Sequence, residues 1–257
     1  MSIIEQMIAL RTIIIKEIHR FLRIWVQTLI PPSITIILYF VVFGNLIGPR
    51  IGNMDGFNYM QYIVPGLIMM SVITNSYGNV VSSFFGNKFQ RCIEELMVSP
   101  TPEYIIIVGF IVGGVARGIL VGIIVSFLSL FFTDLSLFHA GITFSIVILT
   151  SILFSLGGFI NAIYANKFDD ISLIPHFVLT PLTYLGGVFY SIDLLPTFWK
   201  TISMANPIVY MVNGFRYGIL GVSDVSISVT YTMIVFFIFL FYSWAFYLMR
   251  IGYGMRT

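Results

Sequence analysis

Side chains able to do chemistry are scarce in this sequence, and their positions limit what it can do. The acids are Glu5, Glu17, Asp55, Glu94, Glu95, Glu103, Asp134, Asp169, Asp170, Asp193 and Asp224, and none is predicted to lie in the middle of a membrane span. A proton- or sodium-driven carrier needs an ionisable group there to carry the coupling charge. His19, His139 and His176 are far apart, so no metal-ligand spacing exists. His176 follows Pro175 and reads as a packed, neutral ring. The single cysteine, Cys92, excludes an internal disulfide framework and a cysteine metal cluster, and reads as a small apolar filler. G-x-S-x-G, H-E-x-x-H and P-loop patterns are absent. No catalytic residue, metal site or cofactor of its own is expected.

One dense charge cluster stands between two long apolar runs, at Gly86–Pro102. Lys88, Arg91, Glu94 and Glu95 alternate there with Phe89, Cys92/Ile93 and Leu96/Met97, the rhythm of a one-sided helix. Ser99-Pro100-Thr101-Pro102 ends it, because proline lacks an N–H and pushes the residue before it out of helix. A short amphipathic helix outside the membrane is predicted over 86–102. It is either a solvated loop helix or a handle for a soluble partner. A second charge, Arg117, sits inside an apolar run beside Gly113, Gly114 and Gly118. An arginine there costs roughly 2.5–3.5 kcal/mol unless paired or wetted. Snorkelling to the interface or pairing with loop acids is the preferred reading; facing a central cavity, as a pathway charge, is the other.

These residues must be positioned by membrane helices. The chain is 58% hydrophobic and 9% charged over 257 residues, where a soluble domain carries about 25% charged residues. An all-α, polytopic fold with six transmembrane helices follows, as one membrane domain over 1–257. No cleavable signal peptide is expected, the first span serving as its own insertion signal. Residues 4–23 read as an interfacial amphipathic helix, with Arg11, Lys16, Glu17, His19, Arg20 and Arg23 mainly on its polar side and Trp25 as belt residue. The spans are predicted from Pro31-Pro32 to Phe43-Gly44, at 59–85, 105–132, 140–164 and 171–188, and at 229–249. Residues 190–216, broken by Pro196 and Pro207, read as two short outer re-entrant helices that cap a pathway or pack at an interface.

Charge asymmetry orients the chain. With the N-terminus inside, Arg11, Lys16, Arg20, Arg23, Lys88, Arg91, Lys167, Arg250 and Arg256 are cytoplasmic, against Arg50, Lys200 and Arg216 outside. Nine basic residues against three place both termini in the cytoplasm. The basic residues are spread along the chain, so no nucleic-acid partner is expected. No internal repeat of the kind that builds secondary transporters is visible.

The later spans carry a pattern that resembles the type-2 ABC exporter membrane subunits, the transport permeases. It reads Leu179-Thr180-Pro181-Leu182-Thr183-Tyr184-Leu185-Gly186-Gly187-Val188, then Leu195-Pro196, Asn206-Pro207-Ile208-Val209-Tyr210 and Arg216. The basic amphipathic start and the Glu94-Glu95-Leu96 helix ending at Pro100 extend the likeness over the whole chain, closest to small bacterial inner-membrane permeases of unassigned substrate. The resemblance implies a homodimer in the bacterial inner membrane bound to two separate cytosolic ATPase subunits, with ATP and Mg held by those partners. It implies that Lys88, Arg91, Glu94, Glu95 and Leu96 couple to the ATPase. It further implies that Pro196, Asn206, Pro207, Tyr210 and Arg216 belong to the outer gate. Export of an amphiphile, drug-like molecule or lipid is the expected function. The alternatives are export of polysaccharide or lipid-linked glycan and, in another class, a non-transporting scaffold or lipid-modifying enzyme.

Overall fold

The computed structural model describes residues 2–254, so Arg256 lies outside the described residues. Helix α1, Ile3–Arg23, opens with a capping box: the Glu5 amide donates to Ser2 Oγ, and the Glu5 carboxylate accepts the Ser2 amide at 2.8 Å. Helix α2, Trp25–Tyr39, contains Pro31 and Pro32 and continues as a wide π-helical stretch, Phe40–Ile47, and a last turn, Gly48–Ile51. Phe43-Gly44 was expected to end this span. Instead Gly44 lies against Met60 of the next long helix, and the helix runs on past it. A hairpin of β1, Asn53–Met54, and β2, Phe57–Asn58, follows, with Asp55 and Gly56 both at positive φ as a two-residue hairpin turn demands.

Helix α3, Tyr59–Phe89, is the axis of the fold. Its 31 residues span about 46 Å at 1.5 Å each. It is walled in by α5, Glu103–Ser129, α6, Ala140–Tyr164, and α9, Pro207–Leu220. Phe84 of α3 meets Phe159 of α6 at 4.3 Å and Phe110 of α5 at 5.2 Å between ring centroids, joining three helices at one level. Between α3 and α5 runs the two-turn α4, Cys92–Val98.

Helix α7 runs through Asp170–Ile174, a π-helical Pro175–Leu179 and Thr180–Tyr184. It stops short of the expected Val188, because Gly187 turns the chain at φ 69°. Then come α8, Thr197–Met204, α9 and α10, Ile227–Ile251, which Gly252 ends in the left-handed conformation. Among the described residues the fold is all-α apart from the small hairpin, and four helices are long and apolar enough to cross a bilayer: α2 with its extension, α5, α6 and α10. Helix α3 is longer still but interrupts its apolar surface with Thr74, Asn75, Ser76, Asn79, Ser82 and Ser83.

Candidate functional site

At the end of the molecule that carries residues 86–102, the expected single helix is two. Residues 86–89 finish α3, Arg91 sits at φ 61° in the left-handed region, and α4 starts afresh at Cys92. The break separates charges that the sequence pattern placed on one face. Lys88 is used internally: its Nζ donates to the carbonyls of Ile163 at 2.7 Å and Ala165 at 2.6 Å, capping the C-terminus of α6. Arg91 is exposed at the helix start. On α4, Ile93 is buried as the anchor, Leu96 is partly buried, and Glu94 and Glu95 face outward in the first turn.

Helix α1 lies alongside. A groove of about 370 Å³ between the two helices is lined by Ile13 and Lys16 of α1 and Glu95 and Leu96 of α4. Lys16 Nζ donates to Asn87 Oδ1 at 2.7 Å, and Tyr104 Oη donates to Gln6 Oε1 at 2.8 Å. These bonds tie α1 to the end of α3 and the start of α5, the elements that flank α4, and leave the groove between α1 and α4.

Helix α1 is not simply laid along an interface. Ile13, Glu17 and Phe21 form a buried stripe against α5. A Cβ at Gly109 would lie 2.5 Å from Ile13 Cγ2, and one at Gly113 would lie 2.6 Å from Glu17 Cβ. Only glycine permits that approach. Glu17, expected on the polar side, is fully buried. The reason is a partner: Arg20 Nε stands 3.4 Å from Glu17 Oε2, and Arg20 Nη2 donates to Asn79 Oδ1 at 2.7 Å and to the Asn79 carbonyl at 3.0 Å. No periodicity rule separates this acid from a solvated one; the glycines opposite it were the available signal.

One turn before Asn79, Asn75 receives Arg117. Arg117 Nη2 donates to Asn75 Oδ1 at 3.0 Å, while its Nε has no partner. Arg117 stands about 21 Å along α5 from Glu103 at 1.5 Å per residue, beyond snorkelling reach of that end. Neither ion pair among the described residues involves it. It instead forms part of a cleft of about 310 Å³ beside Pro31 and Pro32 of α2 and Met70 of α3. The same side of α3 shows a stripe at four-residue spacing: Thr74 and Ser82 are exposed, and nothing lies within 4 Å of a Cβ placed on Gly78 or Gly86.

The residues of the 190–216 segment that were expected at a gate are largely interior. Asn206 caps α9 by accepting the Ile208 amide at 3.0 Å and donates to the Leu182 carbonyl at 2.6 Å. Pro207 takes the first helical position, where no N–H is needed. Tyr210 Oη donates to the Met204 carbonyl at 2.7 Å. Arg216, expected at the outer surface, is fully buried and donates to the Gly187 carbonyl at 2.6 Å. Asp224 accepts from Ser191 Oγ and the Ile192 amide, both at 3.0 Å. Asn206, Tyr210 and Arg216 thus tie α7, α8 and the 187–192 turn to α9. Pro196 is separate, at the exposed start of α8, beside exposed Phe198 and Trp199.

Comparison with known proteins adds to this geometry. The family model described as ABC-2 type transporter matches residues 8–220. The chain is 60% identical over 251 residues to the inner membrane transport permease YadH of Escherichia coli K12, covering 97% of this chain and 98% of that protein. It is 22% identical over 189 residues to nodulation protein J of Rhizobium leguminosarum bv. viciae, covering 72% of each.

Proposed function

The chain belongs to the ABC-2 type transporter family, and from that premise we propose that this membrane permease subunit works as half of an ATP-driven exporter in the bacterial inner membrane. Two copies form the pathway, and two separate cytosolic ATPase subunits bind ATP and Mg and supply the energy. The chain itself is not an enzyme and binds no cofactor. Helices α2, α3, α5, α6, α7 and α10 make six spans with both termini in the cytoplasm. The short helices α8 and α9 re-enter from outside and close the exit, with the exposed Phe198 and Trp199 toward the second copy. The open Thr74–Gly78–Ser82 stripe of α3 faces the pathway.

The observation that carries this reading is the surface shared by α1 and α4. Ile93 anchors α4, and Glu94 and Glu95 are left exposed, with Glu95 lining the groove beside α1, so a charged face with an adjoining groove is open to a soluble partner. Removing one partner of a desolvated interfacial charge pair costs about 2–5 kcal/mol, whereas exposed helix pairs contribute only a few tenths. Glu94→Lys combined with Glu95→Lys is expected to leave the permease inserted and dimeric. Co-purification of the ATPase and substrate-stimulated hydrolysis should be lost, and a compensating charge change on the ATPase should restore part of them. Wild-type binding and turnover in the double variant would leave α4 as a solvated loop helix.

An amphiphile, drug-like molecule or lipid is the expected cargo. A glycan is the second reading, favoured by an aromatic cluster: Phe189 lies 4.8 Å from Phe43 and 5.8 Å from both Tyr39 and Tyr184, and Tyr184 is exposed.

A further inference from the structure

Two arginines meet neighbouring turns of α3, and only one of them is satisfied. Arg20 has Glu17, the Asn79 side chain and the Asn79 carbonyl. Arg117 has Asn75 Oδ1, one acceptor for a group with five N–H donors. Leaving such a charge half-paired inside a membrane protein is costly, and intramembrane charges of this kind mark ligand pathways. Its Nε is buried without a partner. The cleft beside it has apolar walls, Pro31, Pro32, Ile36 and Met70, with Gln27 and Thr35 as its polar flank. The next face of α2 is apolar and open at Ile30, Ile34 and Leu38.

We propose that this cleft binds the oxyanion headgroup, phosphate or carboxylate, of an amphiphile. The headgroup meets the free edge of the Arg117 guanidinium, and the apolar tail lies along α2. The planar fork of arginine presents parallel N–H groups that suit an oxyanion's two acceptor oxygens. Asn75 Oδ1 takes one N–H of Nη2, and Arg117 itself lines the cleft. The proline pair shapes the wall: Pro31 and Pro32 remove the N–H groups that would bond the carbonyls of Gln27 and Thr28. This assignment rests on the permease reading for its biological meaning, since it names the cargo chemistry of that pathway.

The test uses the full-length chain, purified in a neutral maltoside detergent without the ATPase, with binding read by calorimetry. Hexadecyl phosphate is compared with octaethylene glycol hexadecyl ether, which has the same tail and no oxyanion, and with inorganic phosphate. Wild type should bind hexadecyl phosphate at least about tenfold more tightly than the uncharged ether. Arg117→Gln should erase that preference and Arg117→Lys should keep part of it. Thr35→Trp, which fills the cleft while leaving Arg117 in place, should weaken both amphiphiles about tenfold or more. Inorganic phosphate in tenfold excess should not displace hexadecyl phosphate. Equal binding of the two amphiphiles to wild type, or a preference that survives Arg117→Gln, overturns the proposal. Displacement by inorganic phosphate makes this a free-anion site and overturns it too. If Arg117→Gln does not fold, unchanged binding to Thr35→Trp decides against it. Because no ATPase is present, these outcomes are separate from loss of coupling, which would sink the permease reading alone.

Discussion

The Arg216 guanidinium stands 4.0 Å above the ring centroid of Tyr62, so a fully buried cation is held by a π face and not by a carboxylate. Its Nη1 reaches Asn213 Oδ1 at 3.4 Å, and the same oxygen accepts the Asp224 amide at 3.0 Å. The cation therefore links α3, α9, the 187–192 turn and the loop after α9. A desolvated cation–π contact contributes about 2 kcal/mol, and a hydrogen bond to a charged group about 1.5–3.

Arg216→Met should accordingly destabilise the purified permease by about 2–4 kcal/mol. Tyr62→Leu should cost part of that, whereas Tyr62→Phe should be within about 0.5 kcal/mol of wild type, because the Tyr62 hydroxyl is buried with no partner. Thermal unfolding in detergent reads all three. Equal losses for Tyr62→Leu and Tyr62→Phe would show that the ring face is not what holds the cation.

Docking of α1 should depend on two glycines of α5. Alanine at Gly109 or Gly113 drives a methyl group into Ile13 or Glu17, and overpacking of this kind costs about 1–3 kcal/mol. In a Cys92→Ser background, a cysteine replacing the buried Ile13 should be protected from a thiol reagent. Adding both alanines should make it react at least tenfold faster. Continued protection would mean that α1 is held elsewhere.

The open stripe of α3 offers the opposite case. A Cβ at Gly78 meets nothing within 4 Å, and leucine is a better helix former than glycine by less than about 1 kcal/mol. Gly78→Leu should fold as well as wild type or slightly better. If the stripe lines the pathway, the same variant should lose most substrate-stimulated ATP hydrolysis in the reconstituted complex. Full stimulated turnover would place the stripe against lipid.

Orientation is open to direct labelling. Asn53, in the hairpin, and Thr197, at the start of α8, are exposed. Cysteines at either position should react in intact cells with an impermeant thiol reagent, while native Cys92 should not. Outside labelling of Cys92 would reverse the topology argued from the nine-to-three basic asymmetry.

Features that depend on local chemistry were legible along the chain. Long apolar runs specify helices wherever they fold, so Ala140–Tyr164 has its predicted bounds and Ile227–Ile251 lies within two residues of them. Pro196 and Pro207 divide residues 190–216 into two short helices, because each stands where a helix begins and no backbone N–H is needed. The pattern from Leu179 to Arg216 gave the family for the same reason, being a fixed order of residue types. Which charges are used internally was decided by tertiary structure alone. Lys88 and Arg216 look like surface cations in a one-dimensional reading, yet one caps the distant end of α6 and the other fills a site made by Tyr62 and Gly187. Glu17 has the periodicity of a solvated acid, and Gly113, far along the chain, is what lets it be buried beside Arg20. Arg117 is the same problem in its sharpest form. Its energetic cost can be read from the apolar run around it, but whether an interface, a carboxylate or a cleft answers that cost depends on where α2 and α3 pass. Burial of a charge is a property of its neighbours in space, and those neighbours are set by packing between elements far apart in sequence.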